Sequence, residues 1–220
     1  MSFGQPLQQN NCCRLLVRLL ALATMILTKL NCTPSLDHLS PSDKLLFARF
    51  GFGPRQTSPF GCVHHAFEHY AQLQPEAVAV EHLGETITYA ELDRKANRLA
   101  HCLRTAGVTS GSRVCLLVQR SIAMVVGIVA VLKAGAAYVP LDGGIVTQST
   151  LEFVLQDSEA VLVLCLKEYQ NRVPEGKLSV CLEEMMELTE DVAKPEDRSS
   201  PDDGVYVIYT SGRLYFYKSD

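Results

Sequence analysis

A chain of 220 residues with 47% hydrophobic and 20% charged content carries enough apolar matter for a buried core and too much of it for a disordered polymer. A net charge of −4 supplies no electrostatic basis for holding nucleic acid. The eight cysteines include no CxxC pair, which argues against a zinc ribbon. Cys102, Cys115, Cys165 and Cys181 fall inside predicted core elements, where reduced cysteine acts as a small hydrophobe, as in a cytosolic protein.

The chain opens on a basic leader: residues 1–36 contain Arg14, Arg18 and Lys29 and no acid. Leu15 to Leu27 is strongly apolar, interrupted by Arg18. Three readings stay open for residues 13–30: a signal or membrane-anchor segment, an acid-poor mitochondrial leader, or a buried helix from a preceding domain. The absence of a clean small-residue cleavage site favours the last, and with it a cytoplasmic location; the adjacent Cys12 and Cys13 are a weak acylation signal. From Asn31 to Pro59 the composition turns to Pro, Ser, Gly and charge around one helical pattern, Ser42 to Phe50. Residues 1–60 are therefore expected to form a leader and linker, with a domain beginning near Gly61.

Beyond Gly61, Val63, Ala66, Phe67, Tyr70 and Ala71 repeat at helical spacing until Pro75. His65 and His69 stand four apart on this helix and could share a metal, but no further ligand set with metal spacing follows, so a half-exposed helix edge is the better reading. Ala77–Glu81 and Thr86–Tyr89 read as strands around a Leu83-Gly84 turn. Thr88 and Glu91 form a capping box that opens the next helix. Its apolar stripe is Leu92, Ala96, Leu99, Ala100, Leu103 and Ala106; Asp93, Arg94, Lys95 and Arg98 on the other side read as a solvated face. Val114–Val118 is a buried strand, and Ser121 caps an all-apolar helix, Ile122 to Leu132, too short to cross a bilayer. Gly135 closes it, Ala137–Val139 extend, and Pro140 is expected to stop further pairing. A helix Leu151–Gln156 and a strand Val161–Leu166 come next. The alternation predicts an α/β fold with an open, mainly parallel sheet flanked by helices. Glu183, Glu184, Glu187, Glu190 and Asp191 read as a solvated acidic face.

Several strings resemble motifs of one family. Leu132-Lys133-Ala134-Gly135-Ala136-Ala137-Tyr138-Val139-Pro140-Leu141-Asp142 is similar to a signature of amino-acid adenylation domains of nonribosomal peptide synthetases, within the AMP-dependent synthetase and ligase superfamily. Ile87-Thr88-Tyr89-Ala90-Glu91-Leu92 with Ala96-Asn97-Arg98-Leu99-Ala100 resembles the motif that precedes it. Val205 to Gly212 resembles the strand that runs into the phosphate loop, whose opening residues here are Thr210, Ser211 and Gly212. The resemblance spans residues 61–212 and implies the N-terminal portion of the adenylate-forming fold. In its intact form such an enzyme would use ATP and Mg2+ to adenylate an amino acid and load it on a carrier-protein phosphopantetheine thiol.

Two departures accompany the likeness. Gly143 to Thr150 replaces the family's proline-marked segment, and Arg213 to Asp220 replaces the glycine-rich remainder of the phosphate loop with a divergent tail. The expectation is therefore a truncated domain, inactive alone, with no catalytic or metal-binding residue assigned. A non-catalytic interaction module that retains the scaffold, and an acyl-CoA-ligase-like remnant, are the alternatives.

Overall fold

The computed structural model describes residue 37 and residues 39–53, 58–190 and 192–210. The leader, Ser211, Gly212 and the tail 213–220 lie outside the described residues. The chain divides between residues 57 and 58 into two compact units. In the first, Ser40 accepts a hydrogen bond from the Asp43 N–H at 3.2 Å and Pro41 supplies the first helical residue, giving helix α1 over Pro41–Phe50. No residue of α1 is buried.

The second unit begins with α2 (Val63–Leu73) and a hairpin of β1 (Val78–His82) and β2 (Glu85–Thr88). Leu83 and Gly84 both take positive φ, as a two-residue hairpin turn requires. Thr88 then opens α3 (Tyr89–Thr105) with the expected capping box: its hydroxyl accepts the Glu91 N–H at 3.3 Å and the Glu91 carboxylate accepts the Thr88 N–H at 2.9 Å.

The core is a parallel sheet of β3 (Arg113–Val118), β4 (Ala137–Asp142), β5 (Leu162–Cys165) and β6 (Ser179–Cys181), in the spatial order β4-β3-β5-β6. Helix α4 (Ile122–Lys133) links β3 to β4, and α5 (Gln148–Asp157) links β4 to β5. The chain moves one way across the sheet from β3 to β4 and the other way from β4 to β5. Right-handed crossovers therefore place α4 and α5 on opposite faces. A 3₁₀ turn (Lys167–Arg172) and α6 (Leu182–Glu187) complete the described elements. Val114, Cys115, Leu116 and Leu117 on β3 are fully buried, as expected of a strand covered on both faces. Among the described residues, no helix is long and apolar enough to cross a membrane.

Two local expectations are corrected. β4 does not stop at Pro140; it pairs with β3 as far as Val118↔Asp142. In a parallel strand successive residues turn their backbone groups to alternate sides. Ala137 donates to Ser112 of the connection entering β3, whereas Tyr138 faces the opposite way, donating to the Val205 carbonyl and accepting from the Val207 N–H. Pro140, two residues on, has its missing N–H on that outer side, so the β3 ladder loses nothing. The second correction is α5, which starts at Gln148 and not Leu151, because the Thr147 hydroxyl accepts the Thr150 N–H at 3.2 Å and caps it.

Candidate functional site

Residues 205–209 extend alongside β4, parallel to it, through the Tyr138↔Tyr206 bridge. Tyr138 and the Val205 and Val207 backbones exchange bonds of 3.1 and 2.9 Å. Exposure alternates along the segment, with Tyr206 and Ile208 outward and Val205, Val207 and Tyr209 half-buried. The Tyr209 hydroxyl donates to Asp157 at 2.8 Å, and its ring meets Phe153 edge-on. Burial, and then that bond to a carboxylate, push its ionisation up. The run therefore delivers Thr210, exposed, at the carboxyl end of the sheet, the end where open α/β sheets take ligands. Of the predicted phosphate-loop residues the structure places Thr210; Ser211 and Gly212 lie outside the described residues.

The departure after Asp142 has a definite geometry at this same end. The Asp142 side chain accepts the Gly144 N–H at 2.9 Å while its backbone carbonyl accepts from Ile145 and Val146. Arg172 donates to the carbonyls of Gly143 and Val146, pinning the loop from below. A Cβ on Gly143 would stand 2.3 Å from the Tyr169 ring, and one on Gly144 would stand 2.1 Å from the Gln119 amide. Gly143 needs glycine for space, since the Tyr169 ring is buried, whereas the exposed Gln119 side chain can swing away from a Cβ at Gly144.

A buried ionic cluster lies towards the opposite end of the sheet, where the helix Ile122–Lys133 ends just before β4. The Lys133 ammonium, its side chain 1% exposed, lies 2.6 Å from Glu68 and 2.8 Å from the Asn97 carbonyl oxygen. Asp93 Oδ1 stands 2.8 Å away as a charge contact without good hydrogen-bond geometry, while Asp93 Oδ2 accepts from the Asn97 amide at 3.0 Å. Lys194 also donates to Glu68, at 2.5 Å. Burial alone would raise the Glu68 ionisation, but the hydrogen bonds from Lys133 and Lys194 prevail and hold its carboxyl below the usual range.

The predicted solvated face of α3 is corrected by the same region. Arg94 is exposed, but Lys95, Arg98, His101 and Arg104 bond the backbone carbonyls of Met186, Glu190, Ala193 and Glu196. These side chains take up carbonyls that have no strand partner, so the charges are structural. Asp191 lies outside the described residues; of the other acids, Glu183 is not simply solvated, since its carboxylate accepts the Lys167 N–H at 2.9 Å.

Nor do His65 and His69 act as a pair. His69 packs against Phe60 and Tyr70, whereas the His65 Nε2 lies 2.7 Å from Asp197. His64, buried, places its own Nε2 3.1 Å from the Ser199 hydroxyl. Burial, and then the neighbouring His65, lower its ionisation and keep it neutral. Burial would raise Asp197, but hydrogen bonds from the Ser199 hydroxyl and N–H outweigh it and keep the carboxylate ionised.

A parallel sheet covered by helices on both faces is similar in architecture to the N-terminal subdomain of an adenylate-forming enzyme. Residues 67–212 match the AMP-binding enzyme family, and the chain belongs to it. Adenylate-forming reductase 03009 of Coprinopsis cinerea is 45% identical over 80% of this chain and 18% of its own length. Tyrocidine synthase 1 of Brevibacillus parabrevis is 39% identical over 68% of this chain and 14% of its own. The solved structure of the nonribosomal peptide synthetase FmoA3 in its AMPPNP-bound form aligns with a TM-score of 0.70 at 28% identity, covering 81% of this chain and 19% of that one. This chain thus spans less than a fifth of the length of these relatives.

Proposed function

We propose that residues 61–212 form the N-terminal wall of an adenylate-forming site, with residues 1–60 as leader and linker and 213–220 as a divergent tail. In that site Thr210, Ser211 and Gly212 open the loop that receives ATP phosphates. The observation that carries the reading is the parallel run 205–209, which brings Thr210 to the carboxyl end of the sheet. Small residues there let hydroxyl and backbone N–H groups approach phosphate oxygens closely. The likeness to an AMPPNP-bound synthetase supports the same assignment.

The reaction is attack of a carboxylate oxygen on the α-phosphorus of ATP, breaking the bond to the pyrophosphate oxygen. An amino acid is the substrate class favoured by the Ala137–Asp142 motif, and a carrier-protein thiol is the acceptor. The described residues fit a phosphate better than a magnesium ion. Asp142 stands at the right end of the sheet, but one of its oxygens is taken by the Gly144 N–H. Mg2+ is therefore assigned to groups other than these. A second reading comes from the adenylate-forming reductases, at 45–47% identity over 80% of the chain: the same adenylation step in a protein whose reductase activity belongs to parts beyond the matched residues.

By itself the chain is expected to give no amino-acid-dependent exchange of labelled pyrophosphate into ATP. Grafted over the matching residues of an intact synthetase, residues 61–212 should support exchange. Changing Thr210 and Ser211 together to alanine should then lower it by about 10²-fold, the usual loss for a preorganised oxyanion donor. A folded graft whose exchange ignores that double change would refute the phosphate-loop assignment.

A further inference from the structure

Two consecutive histidines at the start of α2 and one carboxylate 132 positions away converge on a single point. His65 Nε2 lies 2.7 Å from Asp197 Oδ2, and His64 Nε2 lies 3.8 Å from Asp197 Oδ1. One ligand atom from each of the three residues falls within 4.8 Å of the other two. We propose that His64, His65 and Asp197 form a zinc site that fastens α2 to the segment leading into the Val205–Thr210 run. The site does not depend on the reading of the phosphate loop.

Without a metal the cluster is a hydrogen-bonded latch: His65 Nε2 meets Asp197 directly, and the buried His64 Nε2 bonds the Ser199 hydroxyl, which donates to Asp197 Oδ1. The same convergence leaves both imidazole Nε2 atoms and the carboxylate close enough for one ion to replace those bonds. Tetrahedral zinc with bonds of about 2.0–2.1 Å sets its ligand atoms about 3.4 Å apart. The three ligand atoms lie within 4.8 Å of one another, so modest side-chain shifts would bring them to that spacing.

An outer layer is already present. The Ser199 N–H and hydroxyl donate to Asp197 Oδ1 at 3.0 and 2.5 Å and fix the carboxylate's orientation, as partners of metal ligands do. The fourth position falls to a water molecule from solvent, which the partly exposed His65 and Asp197 side chains admit. Two nitrogens and one carboxylate suit zinc; calcium and magnesium demand more oxygen donors than this cluster offers. With a metal bound, the His65–Asp197 and His64–Ser199 hydrogen bonds give way to coordination through both Nε2 atoms, and each imidazole carries its remaining proton on Nδ1.

The test is titration of the metal-free 220-residue chain with Zn2+ alone, followed by calorimetry and by X-ray absorption at the zinc edge. Expected are one equivalent bound, two imidazole nitrogens at the metal, and a rise in the melting temperature. His65→Ala and Asp197→Asn should each abolish that equivalent while far-ultraviolet circular dichroism stays unchanged; both side chains are partly exposed, so folding is spared. Ser199→Ala should weaken binding by about tenfold, the effect of losing an outer-layer partner. Zinc that binds the two ligand variants as it binds the parent chain, a sulfur-dominated absorption spectrum, or no stoichiometric binding at all would overturn the proposal.

Discussion

Replacing Lys133 by methionine removes the cation from a buried cluster while keeping much of its volume. In the parent chain the ammonium meets Glu68 at 2.6 Å, Asn97 at 2.8 Å and Asp93 at 2.8 Å. Loss of one member of a buried pair costs about 3–5 kcal/mol, because the remaining charge stays desolvated without its partner. Glu68 keeps Lys194, and the Asp93 side chain is 28% exposed, so the low end applies, about 3 kcal/mol. For a domain of this size that lowers Tm by about 6–12 °C. Adding Glu68→Leu removes the stranded carboxylate and should restore about two-thirds of the loss, since an apolar pair of similar volume replaces the ionic one at little cost. The acid limb carries a second signature. The Glu68 carboxyl is held below its ordinary value of 4.5, so its contribution is present above that value and is lost as pH falls through the lowered folded value. Lys133→Met should therefore flatten the acid-side decline of stability. Thermal melts between pH 3 and pH 8, on the parent, both single variants and the double variant, supply the whole set. A Lys133→Met chain within about 0.5 kcal/mol of the parent, or a double variant less stable than either single, would refute the reasoning.

Gly143→Ala should destabilise the second unit by about 1–3 kcal/mol in urea unfolding, as an overpacked methyl does, because its Cβ would meet the Tyr169 ring at 2.3 Å; adding Tyr169→Ala should relieve that clash. Thiol alkylation at pH 8, read by peptide mass mapping, should leave Cys115 and Cys165 unmodified in the folded chain and label them in urea, since burial pushes their thiols up to about 12 and about 11.

How much of this is legible in the sequence differs from element to element. The hairpin turn at Leu83-Gly84, the Thr88–Glu91 capping box and the apolar runs of β3 and α4 are local, and local chemistry decides them. Pro140 misleads because a proline's cost depends on which side of the strand its absent N–H faces, a property of the neighbours and not of the residue. The start of α5 is hidden because Thr147 stands in a polar run that reads equally well as loop. The α3 charges look solvated since the backbone carbonyls that meet them, those of Met186, Glu190, Ala193 and Glu196, belong to a stretch with no hydrophobic periodicity of its own. His64 and His65 give no metal spacing, because their third partner lies on a distant segment. Lys133 offers a fainter clue: a lysine closing an otherwise wholly apolar helix calls for buried counter-charges.

The run that carries Thr210 is attached to the sheet far more loosely than the strands beside it. Between residues 205 and 209 it shares one bridge with β4, whereas β3 is laddered along both its edges. Segments with few ladder bonds open at free energies well below that of global unfolding. Any anion recognised at Thr210 would draw part of its binding energy into zipping this run against Tyr138 and onward towards Asp142. Affinity at the tip and order along the segment are then one equilibrium. Substitutions that tighten or loosen the Tyr138 junction would shift occupancy of a site they never touch.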